Sequence, residues 1–95
     1  MKEFDEIEAI GYIKNAVPEL QSCSDDDILL IIDTIFEYDE TIGEDAEDEQ
    51  LTPEAIGAYV AKQLKHDSEF NIPSELILPA VRAEMGYEGT LWDED

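Results

Sequence analysis

The chain has 95 residues, with 26 Asp plus Glu against five Lys plus Arg, and a formal net charge of -21 at pH 7. That length holds one domain at most, and that charge excludes a surface for nucleic-acid phosphates or anionic lipids, both of which need clustered Lys and Arg. Cys23 is alone, so there is no disulfide framework, and the 43% hydrophobic content, with eleven Ile and eight Leu, separates the chain from charged disordered sequences that cannot build a core.

The first helix is expected from about Glu3 to Val17. Phe4, Ile7, Ile10, Ile13 and Val17 recur at three- and four-residue steps, which predicts one apolar face. Pro18 ends it by removing a backbone donor. The second helix starts at Ser24, a good N-cap, with Asp25, Asp26 and Asp27 in the first turn, where the helix dipole favours negative charge. Ile28, Leu29, Leu30, Ile31, Ile32, Ile35, Phe36 and Tyr38 then surround much of its circumference, so it should be central and heavily buried.

A loop is expected from about Thr41 to Leu51, carrying the acidic run Glu44, Asp45, Ala46, Glu47, Asp48, Glu49. Thr52-Pro53-Glu54 restarts a helix, with Thr as cap and Pro at the first helical position. Its expected buried face is Ile56, Tyr59, Val60, Gln63 and Leu64, with Lys62, Lys65 and His66 at its C-terminal end. A fourth helix should run from near Pro73 to about Met85, with Leu76, Ile77, Ala80, Val81 and Met85 inward. Pro79 predicts a kink or a short preliminary turn, and Gly86 a stop. Residues 1–88 then form a single acidic helical domain and residues 89–95 an acidic tail, in which Trp92 either folds back on the core or stands exposed.

The expected fold is therefore a small all-α domain of four helices. Glu8-Ala9-Ile10-Gly11 recurs as Glu54-Ala55-Ile56-Gly57, and Phe36-Glu37-Tyr38-Asp39 parallels Met85-Gly86-Tyr87-Glu88, at spacings of 46 and 49 residues. A duplication would give two stacked helical hairpins, whereas chance similarity between acidic amphipathic helices would give the same short matches.

No catalytic or metal signature emerges. An EF-hand loop needs Gly at its sixth place and a bidentate Glu at its twelfth. Counting from Asp39 gives Glu44 and Gln50, and counting from Asp45 gives Gln50 and Ile56. One His, one Cys and one Arg leave most nucleophilic constellations and zinc sites without parts. The expectation is a non-enzymatic protein with no cofactor and no bound metal. The acidic start MKEFDEIEAI does not fit a signal peptide, Ile28 to Ile32 is far too short to span a bilayer, and a lone Cys suits a reducing compartment. A cytoplasmic protein, not membrane-bound, is expected.

From Ser24 to Val60 the chain resembles the acyl carrier proteins without gaps. Ser24 falls at the serine that carries phosphopantetheine, Ile28, Leu30 and Ile31 at second-helix core positions, Tyr38, Asp39 and Ile42 at the helix exit, and Thr52, Ala55, Tyr59 and Val60 on the last helix. The resemblance implies a carrier modified at Ser24. Cys23-Ser24-Asp25 stands where that family has Asp-Ser-Leu, the long loop before the serine is missing, and a further helix follows.

Charge makes the leading expectation. No Lys or Arg occurs between Lys14 and Lys62, and fourteen carboxylates lie in that gap. The middle of the chain should project a negative field that draws a basic protein surface. The carboxylates expected to dock it are Asp25, Asp26 and Asp27 on the second helix and Glu44, Asp45, Glu47, Asp48 and Glu49 in the loop. A narrower form is a nucleic-acid mimic that inhibits a DNA- or RNA-binding protein, of the anti-restriction or anti-CRISPR type. A domain of this length is roughly 32 Å across, and duplex DNA of ~32 Å carries about 19 phosphate charges.

Overall fold

The computed structural model describes residues 3–43, 47–68 and 70–92, with Trp92 described through its backbone alone. Four helices follow in order, α1 Glu6–Ala16, α2 Asp25–Ile42, α3 Pro53–Leu64 and α4 Ile77–Trp92, joined through 3-10 turns at Pro18–Ser22, Asp48–Leu51 and Ser74–Leu76. Among the described residues there is no strand, and the fold is all-α.

Local chemistry sets the helix starts. Asp5 Oδ1 accepts from the Ile7 and Glu8 N–H groups at 2.9 and 3.3 Å and opens α1, three residues after the expected start. Ser24 Oγ accepts from Asp27 N–H at 3.2 Å and Thr52 Oγ1 from Ala55 N–H at 3.2 Å, so both expected N-caps are used. Each satisfies one of the donors that a helix start leaves without a partner. α2 ends at Gly43, whose φ of 68° and ψ of -167° lie in a region open to glycine and closed to side chains.

α4 departs from expectation. Pro79 sits in its first turn, where no intrahelical donor is lost, and the 3-10 turn at Ser74–Leu76 is the preliminary turn. Gly86 does not stop the helix. A Cβ there would lie 3.2 Å from Tyr12 Oη, so this glycine lets α1 approach α4 and the helix runs on. Residues 89–92 of the expected tail are helical, and Leu91 is buried. The Trp92 side chain and residues 93–95 lie outside the described residues.

α2 and α4 each pack against all three other helices. The core between them takes Ala9 and Ile13 from α1, Ile28, Ile31, Ile32 and Ile35 from α2, Ile56 and Val60 from α3, and Ala80, Val81 and Tyr87 from α4. Two side chains expected inside are not. Ile7 is 82% exposed, because α1 turns Ala9 and Ile13 inward, which rotates Ile7 off that face. Gln63 is exposed, and Gly57 takes a place on the buried face of α3, against Leu78. The molecule is a thick plate of 35 × 29 × 17 Å with a radius of gyration of 12.9 Å.

Tyr38 and Tyr87, which occupy matching places in the paired sequence segments, are both buried. Tyr38 lies against Tyr59 of α3, with ring centres 4.9 Å apart, and Tyr87 lies against Tyr12 of α1 at 5.7 Å. Each half thus lends a tyrosine of its second helix to the first helix of the other, an arrangement compatible with two stacked hairpins.

The glycines give a paired expectation. Gly11 lies in mid-helix with an ordinary helical φ, and a Cβ added there would meet nothing within 4 Å, whereas Gly43 has open space but a positive φ. Gly11→Ala should stabilise the fold by about 0.5–1 kcal/mol and Gly43→Ala should destabilise it by about 1–3 kcal/mol. Urea midpoints of the two variants check this, and a stabilising Gly43→Ala would contradict the described end of α2.

Candidate acidic interaction surface

The expected docking carboxylates do not form one patch. Asp25 and Asp26 are exposed at the start of α2, but Asp27 is buried, with 7% of its surface accessible, and is corrected from a docking residue to an inward-facing one. Its position, one residue before the buried Ile28, turns it towards the core side of the first turn. Asp25 is paired with Lys14 Nζ of α1 at 2.6 Å, so part of the negative block is neutralised locally. Glu47, Asp48 and Glu49 are exposed beyond the other end of α2. Glu44 and Asp45 lie outside the described residues. The helix that separates the two groups spans 18 residues, about 27 Å at ~1.5 Å per residue.

What joins the ends is a line of carboxylates that reading contiguous acidic runs missed. Asp26, Asp33, Glu37 and Glu40 are all exposed. Their steps of seven, four and three residues keep them within a narrow sector of α2, opposite Ile28, Ile31, Ile32 and Ile35. The line is about 21 Å long at ~1.5 Å per residue. α2 contains no Lys or Arg. Glu37 also accepts a hydrogen bond from Tyr59 Oη at 3.0 Å, which ties the line to α3. Desolvation, followed by that bond to Glu37, pushes the Tyr59 phenol above its ordinary range. The signal was present in the sequence as an i, i+7, i+11, i+14 pattern.

The other ionised groups are dispersed. Arg82 and Glu54 approach to 3.9 Å with both side chains well exposed, a pairing too solvated to contribute much. Lys62, Lys65 and His66 are exposed at the end of α3. Ser24, the position marked by the carrier resemblance, is exposed, and its Oγ serves as the α2 cap. It borders an open cleft of about 420 Å³ lined in part by Ser22, Cys23, Asp27 and Pro73. Among the described residues no group of three or more His, Cys, Asp or Glu is placed to hold a metal ion, and no helix is long and apolar enough to cross a membrane.

One carboxyl lies on the opposite side of the chemistry. Glu84 of α4 is fully buried, and neither of its oxygens has a hydrogen-bond partner. Burial first, then the neighbouring Glu88 and the charge of Asp39, push it up to about 10. Asp39 itself is raised, by desolvation and then by Glu88.

Comparison of the chain with protein-family models, with curated proteins and with solved structures gives no match.

Proposed function

We propose that this protein is a non-enzymatic interaction module that binds a basic protein surface along α2. The observation that carries the reading is the line Asp26, Asp33, Glu37 and Glu40, held straight by a helix whose other face is locked in the core, with no cation on the same helix. A rigid row of like charges keeps its spacing without a partner, so the ordering cost falls on the partner's Lys and Arg side chains alone. Complementary charge of this kind speeds encounter and fixes register. The narrower form, mimicry of nucleic acid, is favoured by one further correspondence. The plate is 35 Å long, duplex DNA of that length carries about 21 phosphate charges at one per ~1.7 Å, and the chain's net charge is -21.

The test uses a deca-arginine peptide as the basic probe and two variants with equal charge change. One reverses Asp26, Asp33, Glu37 and Glu40 to Lys. The other reverses Glu3, Glu6, Glu19 and Glu75, exposed carboxylates on other elements. Near-physiological salt is required. The α2 variant should bind roughly ten- to a hundredfold more weakly, and the control variant should lose much less. Equal losses would mean that net charge alone attracts the probe, and unchanged binding by the α2 variant would remove the proposed surface. Displacement of DNA from a basic DNA-binding protein by the wild-type chain, but not by the α2 variant, separates mimicry from general docking.

A further inference from the structure

Glu84 occupies a position that an ionised carboxylate does not tolerate. None of its surface is accessible, both carboxyl oxygens are closed off from solvent, and no N–H or cation meets them; the one polar group beside them is the Glu88 carboxyl, which favours the protonated form. The residues around it on α4, Ala80, Val81, Ala83, Tyr87 and Leu91, are all core side chains. The charged groups that act on it are Asp39 from α2 and Glu88 from the next turn of α4, and both are acids. Among the described residues no cation pairs with it: Lys14 of α1 is paired with Asp25, Arg82 of its own helix lies against Glu54, and Lys62 and Lys65 at the end of α3 are exposed. A buried, unpaired carboxylate beside two like charges carries a desolvation penalty that nothing here offsets, whereas a neutral acid has no charge to desolvate and can donate its hydroxyl to the neighbouring Glu88 carboxylate.

We infer that the fold holds Glu84 as a protonated, neutral acid, and that loss of its proton to solvent is a trigger that parts the C-terminal half of α4 from α2. The ionised group has to reach water. Its escape separates the packed faces that carry Asp39 and Glu88, because the side chain is anchored in mid-helix between Val81 and Tyr87, both buried. The same motion withdraws Tyr87, whose ring meets Phe4 and Tyr12 and whose hydroxyl lies 3.4 Å from the Glu8 carboxylate and 3.3 Å from the Asp5 N–H. Opening at α4 is thereby transmitted to the start of α1. Burial, then the neighbouring Glu88 and Asp39, place the transition well above the ordinary carboxyl range, which leaves the proton in place at neutral pH.

The experiment follows the side-chain carboxyl carbon of Glu84 by NMR in the intact, carbon-13-labelled chain, together with amide exchange of residues 83–92. The Glu84 resonance should remain at its protonated position at pH 7, well above the ordinary carboxyl range. Protection of residues 83–92, corrected for base-catalysed intrinsic exchange, should fall by up to about tenfold per pH unit in mildly alkaline solution. Glu84→Gln, which cannot ionise, should lose at least half of that slope while keeping its helical circular dichroism. A Glu84 resonance that titrates in the ordinary carboxyl range overturns the inference without need of a variant, and so does an unchanged slope in a folded Glu84→Gln.

Discussion

Glu84→Met is expected to raise the unfolding free energy at pH 7 by about 2–4 kcal/mol. In the unfolded chain this carboxyl titrates near its ordinary value of 4.5, and in the fold it is pushed up to about 10. At pH 7 folding must therefore take up a proton. Over the ~2.5 pH units between the ordinary value and neutrality that costs ~1.4 kcal/mol per unit, about 3 kcal/mol in all. Methionine has a similar reach, suits a helix interior and brings no ionisable group. The pH dependence carries the same sign. The folded state binds the extra proton, so the contribution of Glu84 is complete below the ordinary carboxyl value and is lost as the pH rises towards about 10. Wild-type stability should fall between pH 5 and pH 9 by up to ~1.4 kcal/mol per unit, and the Met variant should show a much shallower slope. Urea unfolding at pH 5, 7 and 9 measures both. A variant less stable than wild type at pH 9 would show that Glu84 has a partner that stabilises its charge.

Ile31→Ala should cost about 2–5 kcal/mol, whereas Ile7→Ala should change stability by less than ~0.5 kcal/mol. The two residues have the same side chain and both sit in helices, so the contrast isolates burial. Ile31 has no accessible surface and lies in the core between the helices, and truncation there removes packed methyl groups and leaves a cavity. Ile7 is 82% exposed and gives up little on truncation. A domain of this size has a total stability of roughly 5–14 kcal/mol, so the Ile31 variant forfeits a large part of it. Denaturant midpoints decide the matter. A large loss at Ile7 would return that residue to the apolar face that its three-residue spacing suggests.

The starts of α2 and α3 were legible because caps act locally. Ser24 before three aspartates and Thr52-Pro53 before Glu54 name their own positions, and the hydroxyls do what those sequences predict. The end of α4 was not legible, because Gly86 as a stop and Gly86 as a notch for Tyr12 look alike until α1 is placed beside it. That one misreading hid two others. With the helix ended near Met85, the inward series is cut short at Val81, before Tyr87 and Leu91, and nothing singles out Glu84 among the acids. Extended to Trp92, the same spacing places Glu84 in the middle of an apolar face. The acidic surface was only partly legible for a related reason. Asp25, Asp26 and Asp27 are adjacent in sequence, but a turn of ~100° per residue sends them to different sides. The carboxylates that do align, Asp26, Asp33, Glu37 and Glu40, are separated by apolar residues that draw attention to the core instead.

The plate is only 17 Å thick. At physiological ionic strength mobile ions damp a field over about 8 Å, so the thickness amounts to roughly two screening lengths. Charges on opposite sides of the plate then act nearly independently, and a partner docked along α2 senses the carboxylates before it and little of those on the far side. In ~10 mM salt the screening length grows to about 30 Å and exceeds the thickness, and the whole molecule presents itself as one polyanion with no preferred side. Ionic strength thus sets whether this protein is addressed by its arrangement of charges or by their total.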